Sequence, residues 1–208
     1  DPSKLLIESP SFIWLHLPKT GGTSFSQLFR KHPMPDCTVD PDHLDSKHDS
    51  IAIRESKSSW QAGKRPRFIT SRRLEHWLIS DWQHKRRHMN LPDLDFEPVR
   101  SGLFYSLRLG GTWVAADWWL QYFNVDETVI ALRLEHLEDD LNHSLLPLLP
   151  AGTPSFSALP RKNAKPNSAN RDQPSLNRND LKRIAAVNPR WNRWQEILYG
   201  HPVDRLIK

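Results

Sequence analysis

A chain of 208 residues with 38% hydrophobic and 25% charged residues has the size and composition of one globular domain, predicted here over residues 1–208. Its single cysteine excludes an intramolecular disulfide and makes a thiolate metal site implausible, and no apolar run is long enough to span a bilayer. The formal net charge of +5 predicts an anionic partner. Nucleic acid is disfavoured as that partner, because the basic residues are spread along the chain without the signature of an RNA- or DNA-binding module.

An apolar run near the N-terminus, residues 12–17, predicts a buried parallel strand. It ends at Pro18, and residues from about 23 to 31 predict a helix. The loop between them offers an anion several donors: a lysine, two adjacent glycines that let the backbone approach closely, three hydroxyls, and the unpaired N–H groups of the following helix. In order, the loop residues are Lys19, Thr20, Gly21, Gly22, Thr23 and Ser24.

The order of these residues separates the loop from that of nucleoside-triphosphate enzymes. In G-x-x-x-x-G-K-[ST] the lysine follows the glycines and a hydroxyl then holds magnesium, whereas here Lys19 precedes them. The run from His16 to Ser24 resembles the 5′-phosphosulfate loop of sulfotransferases, which use 3′-phosphoadenosine 5′-phosphosulfate (PAPS). The resemblance implies that all six loop residues bind PAPS, with Lys19 also catalytic.

The same resemblance concerns the fold and a second short segment. Strands that alternate with helices predict an α/β fold with a central, mostly parallel β-sheet flanked by helices. The resemblance implies that it is the P-loop-nucleotide-hydrolase-like sulfotransferase fold. In related sulfotransferases a Lys-His pair and a short helix follow the phosphosulfate loop, and Lys47-His48 is similar, with a helix expected to begin near Ile51.

His48 is therefore the predicted catalytic base. The resemblance implies that it faces the sulfuryl group, and an imidazole titrates near neutral pH. His16, His43 and Asp49 remain as alternatives, although the position of His16 on the predicted strand favours a structural role.

A second strand-to-helix junction is predicted from residues 67–71 into a helix at about 74–88. Sulfotransferases hold the donor's 3′-phosphate with R-x-P-x-x-R-x-x-S at such a junction. Arg72 and Ser80 keep this spacing, while Leu74 and Trp77 replace the proline and the second arginine. An arginine fork suits a phosphate, and Ser80, two helical turns on, is expected on the same face.

The second half of the chain adds three predicted elements. Residues 90–100 predict a connection, and the tryptophan-rich residues 101–123 predict a core helix. Residues 127–134 predict a buried strand, and its end resembles the R-x-E-x-L that precedes a helix in the family. The tail, 179–198, predicts an amphipathic helical region split near Pro189.

Between these elements, the polar stretch 152–174 carries Arg161 and Lys162. Sulfotransferases often place a late basic loop over the donor nucleotide, so the resemblance implies that both residues bind PAPS.

The sequence thus predicts a PAPS-dependent sulfotransferase, with PAP (3′,5′-bisphosphoadenosine) as product and a hydroxyl or amine as acceptor, a carbohydrate being one candidate. The alternatives are a nucleotide kinase or other phosphoryl transferase, disfavoured by the absence of G-K-[ST], and a non-catalytic anion-binding module. No metal and no membrane segment are expected. The expected compartment is the cytoplasm, or the Golgi lumen if an N-terminal anchor has been removed.

Overall fold

The structure is a computed structural model that describes residues 7–21, 25–26, 28–29, 37–39, 45–157 and 174–205. The described residues divide into two compact units. The first, here called the sheet unit, contains the residues up to Ser71 and those from Phe123 to Ser157. The second, the helical unit, contains 72–122 and 174–205. That residues 1–208 act as one domain stays a prediction.

The sheet unit is built on four strands, which are β1 (Ile7–Glu8), β2 (Ile13–Leu15), β3 (Arg67–Ser71) and β6 (Val129–Arg133). Their spatial order is β1-β2-β3-β6. Three of them, β2, β3 and β6, run parallel, and the two-residue β1 pairs antiparallel at one edge. Helices flank this sheet, so the prediction of an α/β fold with a mostly parallel sheet is confirmed.

The buried run 12–17 is longer than the strand that forms within it. β2 is only three residues long, and the flanking residues are buried without belonging to the strand. An apolar strand is favoured here because both faces are covered, and the aromatic core includes Phe12, Phe25 and Phe68. Trp14 satisfies its buried indole N–H by donating to Thr70 Oγ1 on β3 at 2.9 Å.

The connection between β2 and β3 confirms the predicted helix start. A 3₁₀ turn, Asp45–His48, precedes α1 (Ile51–Lys57). Ser50 caps α1 by accepting a hydrogen bond from the Ile53 N–H. After β6, a 3₁₀ turn (Leu134–His136) leads into a short helix, Leu137–Asp140, as the R-x-E-x-L pattern predicts.

The helical unit contains the longest helix of the described residues and the C-terminal helix pair, both as predicted. Its core places Trp77 against Phe104 and Trp191, with ring centroids 5.5 and 5.0 Å apart. Gly200, at φ 77°, ends the last helix in the left-handed conformation that glycine favours. In chain order the helices are α2 (Leu74–His88), α3 (Glu97–Arg100), α4 (Asp117–Tyr122), α6 (Arg178–Val187) and α7 (Pro189–Tyr199), with Leu137–Asp140 of the sheet unit as α5.

The predicted core helix over 101–123 is wrong. The segment forms an antiparallel hairpin, β4 (Leu103–Ser106) and β5 (Thr112–Ala115), before the short α4. Gly110 and Gly111 explain the difference, since both have positive φ (77° and 79°) and allow a reversal that a helix does not. Within this segment only Asp117–Tyr122 is helical, and Trp113 lies on β5.

No helix in the described part of the chain combines the length and the apolar character that crossing a membrane requires.

Candidate functional site

The candidate site lies at the carboxyl end of β2, where the chain makes a tight turn. Thr20 is fully buried, and its hydroxyl donates to the Leu17 carbonyl at 2.7 Å. Gly21 has φ 81°, and its carbonyl accepts from the Phe25 N–H at 3.1 Å, as in a first helical turn. Phe25, Ser26, Leu28 and Phe29 are helical. The described residues therefore follow the predicted order of strand, loop and helix.

Lys19 occupies a conformation that its residue type rarely adopts. Its φ of 63° lies in the left-handed region, which costs a non-glycine residue about 1 to 2 kcal/mol. Such strain concentrates at functional sites, where the surrounding structure holds a residue in a required orientation. The side chain is half-buried beside the turn.

Gly21 is required by its backbone conformation, and a Cβ there would also press on the end of a neighbouring side chain. A Cβ at this position would lie 2.6 Å from Leu134 Cδ1, and φ 81° would strain any other residue. We expect Gly21→Ala to lower the free energy of unfolding by about 1 to 3 kcal/mol in chemical denaturation. Gly63→Ala is the matched control, because Gly63 has φ 61° with open space around it. Equal losses in the two variants would contradict a role for the contact with Leu134.

Two histidines form the next part of the site. The His16 ring stacks on Trp14 with centroids 4.9 Å apart, and it meets the His48 ring edge-on at 4.5 Å. His48 Nδ1 lies 2.9 Å from the His16 carbonyl oxygen. Because a carbonyl only accepts, Nδ1 carries the proton and donates. When the His48 ring is neutral, its basic lone pair is on Nε2. This tautomer can accept a proton at Nε2.

The electrostatics around His16 are strongly positive. Burial is the largest cause that lowers the pKa of His16 well below 6.5, and His48, Lys47, Arg54 and Lys19 lower it further. Within the described residues, every charged group acting on this pKa is basic. His16 is 7% exposed and stays neutral at physiological pH, which agrees with the structural role predicted for it. The cluster leaves an excess of positive charge at the end of β2, as an anion site requires.

The lowered pKa of His16 predicts how stability depends on pH. Below pH 6.5 the unfolded chain binds a proton that buried His16 does not bind, so the folded state loses stability as pH falls toward the lowered pKa. The slope from this one residue is at most about 1.4 kcal/mol per pH unit. Melting temperatures between pH 5 and 8 should therefore depend less on pH in His16→Gln. Parallel curves for the variant and the wild type would refute this.

Arg54 holds the segment that carries His48. It is 5% exposed, and it donates to the Ser46 carbonyl at 2.7 Å and to the Asp49 carbonyl at 3.3 Å. The Asp49 carboxylate is itself buried and paired with Lys57 at 2.8 Å, which makes it a poorer candidate base than His48. Sequence reasoning missed Arg54. The signal that could have identified it is an arginine in the otherwise apolar first turn of α1.

The second predicted phosphate site belongs to the helical unit. Arg72 directly follows the end of β3, and its carbonyl accepts from Trp191 Nε1 at 3.3 Å. α2 begins only at Leu74, so Arg72 precedes the helix. Arg72 and Ser80 are therefore not on one helix, contrary to the expectation that they share a helical face. Both side chains are half-buried. Gln195, rather than a local side chain, caps α2 by accepting from the Leu74 N–H at 2.8 Å.

Six residues named from the sequence lie outside the described part of the chain. They are Gly22, Thr23 and Ser24 of the loop, the alternative base His43, and Arg161 and Lys162 of the late basic segment. Their assignments stay predictions.

Comparison with protein-family models, with curated proteins and with solved structures gives no match.

Proposed function

We propose that this chain is a PAPS-dependent sulfotransferase that transfers a sulfuryl group to a hydroxyl or amine of its acceptor. The observation that carries the proposal is that three cationic side chains, Lys19, Lys47 and Arg54, lower the pKa of His16 at the carboxyl end of β2, where the ring of the proposed base His48 also lies. Ligands of parallel sheets bind at this end of the strands. A P-loop-like sulfotransferase fold is part of the proposal.

In the proposed reaction the acceptor oxygen or nitrogen attacks the sulfur of PAPS in line. A bond from the acceptor to sulfur forms, the bond from sulfur to the 5′-phosphate oxygen breaks, and PAP leaves with the electron pair. Negative charge grows on the bridging oxygen, where the Lys19 ammonium stabilises it. Lysine thus supplies the positive charge that magnesium supplies in phosphoryl transfer.

His48 takes the acceptor's proton on Nε2 in this scheme. The hydrogen bond from Nδ1 to the His16 carbonyl fixes the ring orientation and the tautomer. Arg54 supports the same segment through two backbone carbonyls. The residues around His48 therefore position it before the substrate arrives.

The loop holds the donor chiefly through its backbone in this proposal. Because the Thr20 hydroxyl already donates to the Leu17 carbonyl, Thr20 binds the donor through its backbone N–H group in this proposal. Thr23 and Ser24 add hydroxyls, and Gly21 and Gly22 allow close approach. Arg72 and Ser80 are assigned to the 3′-phosphate, and Arg161 and Lys162 to the loop over the nucleotide.

Isothermal titration of the full chain tests the proposal against its alternatives. We expect PAP to bind in the presence of EDTA, and AMP, which lacks the 3′-phosphate, to bind at least about tenfold more weakly. ATP binding that requires magnesium would indicate a phosphoryl transferase instead. Binding of a sulfated polymer without binding of PAP would indicate a non-catalytic module.

A further inference from the structure

A depression of about 270 Å³ lies in the helical unit, between the last two turns of α2 and the loop that follows. All of its described lining residues lie within 82–92, and none of them belongs to the candidate site at the end of β2. Its volume is slightly below the usual range for small-molecule sites, about 300 to 1,000 Å³. The lining residues are Trp82, Gln83, Arg86, Arg87 and Pro92.

Arg86 is fixed in the wall of this depression by two contacts. Its Nε donates to the Pro92 carbonyl at 2.5 Å, and its guanidinium carbon lies 4.7 Å from the centre of the Trp82 ring. Trp82 is anchored in turn, because its indole N–H lies 2.9 Å from the Leu94 carbonyl. Pro92 takes one of five guanidinium donors, and no other described residue accepts from Arg86. A held arginine loses less conformational entropy when it binds a ligand.

The lining is rich in donors and carries no carboxylate. Arg87 is exposed, and no ion pair links either arginine to a carboxylate of the described residues. The neighbouring Lys85 is buried and already paired with Asp81. A helix C-terminus favours basic residues through its dipole, but the dipole does not require two arginines and an amide to line one depression.

We propose that this depression binds a small organic oxyanion, a sulfate monoester or a carboxylate. Guanidinium forks match the paired oxygens of both groups. The inference goes beyond the sulfotransferase proposal and does not rest on it.

The test is isothermal titration of the full chain with D-glucose 6-sulfate and with D-glucuronate, using D-glucose as the neutral control. We expect at least one anion to bind and glucose not to bind. Arg86→Gln/Arg87→Gln should weaken binding by roughly tenfold or more, since two charge-assisted contacts are lost. Lys182→Gln/Arg190→Gln removes the same charge from exposed positions of the helical unit and should change the affinity less than about twofold.

Two further measurements keep the result interpretable. Arg87→Gln alone leaves the contacts of Arg86 intact and should still weaken binding about threefold or more. PAP affinity in the double variant separates this inference from the proposed function, because we expect it to be unchanged. The inference is overturned if neither anion binds, if glucose binds as well as the anions, or if both double variants lose affinity equally.

Discussion

Replacing Lys19 by alanine should lower sulfuryl transfer from labelled PAPS by about 100-fold or more, measured as kcat on the best acceptor of a screen. The loss follows from removing the ammonium that stabilises charge on the bridging oxygen in the transition state. Lys19→Gly should be equally inactive, yet about 1 kcal/mol more stable than Lys19→Ala, because glycine accepts φ 63° without strain.

Lys64→Ala is the control for charge. Lys64 is an exposed lysine of the sheet unit, and its removal should leave turnover within about twofold. If Lys19→Ala retained more than about a tenth of wild-type turnover, the lysine would not be the group that stabilises the leaving oxygen.

The second large effect is expected from His48→Ala, which should lower kcat by about 10²- to 10⁴-fold. The loss follows because the acceptor's proton would then have no positioned base. Measuring kcat with labelled PAPS and the same acceptor gives the result.

His136→Ala is the matched control, because His136 is an exposed histidine of the sheet unit outside the proposed site. Turnover of His48→Ala within about tenfold of wild type would show that His48 is not the base. A larger loss in His16→Gln or Asp49→Asn than in His48→Ala would move the assignment to one of the alternatives.

Much of the fold is predictable from local patterns. The strands around Ile13, Phe68 and Ile130 are apolar and short, as buried parallel strands are, and the structure confirms all three. α2 is predicted over the same residues that it occupies, because its buried positions recur at helical spacing. The break before α7 follows from Pro189, which fits the first position of a helix.

The hairpin shows where pattern reasoning fails. The three- and four-residue spacing of the positions from Trp113 to Leu120 fits a helix when only spacing is considered, and bulky residues suit both kinds of structure. The decisive residues are Gly110 and Gly111, which reverse the chain at positive φ. A glycine pair within a predicted helix is a stronger signal than this spacing.

Only part of the candidate site is predictable from the sequence. The strand, the turn and Lys19 are contiguous in sequence, so a motif can predict them. The left-handed conformation of Lys19, the hydrogen bond from Thr20 to Leu17 and the edge-on contact of the His16 and His48 rings depend on three-dimensional contacts. Arg54 was not predictable from a motif, because it donates to backbone carbonyls, which every residue type has.

The most direct test of the central claim is a crystal structure of the full chain with PAP. We predict that the 5′-phosphate lies within hydrogen-bonding distance of Lys19 and of the N–H groups of the turn, and that the 3′-phosphate contacts Arg72 and Ser80. PAP bound elsewhere, with Lys19 remote from its 5′-phosphate, would contradict the account.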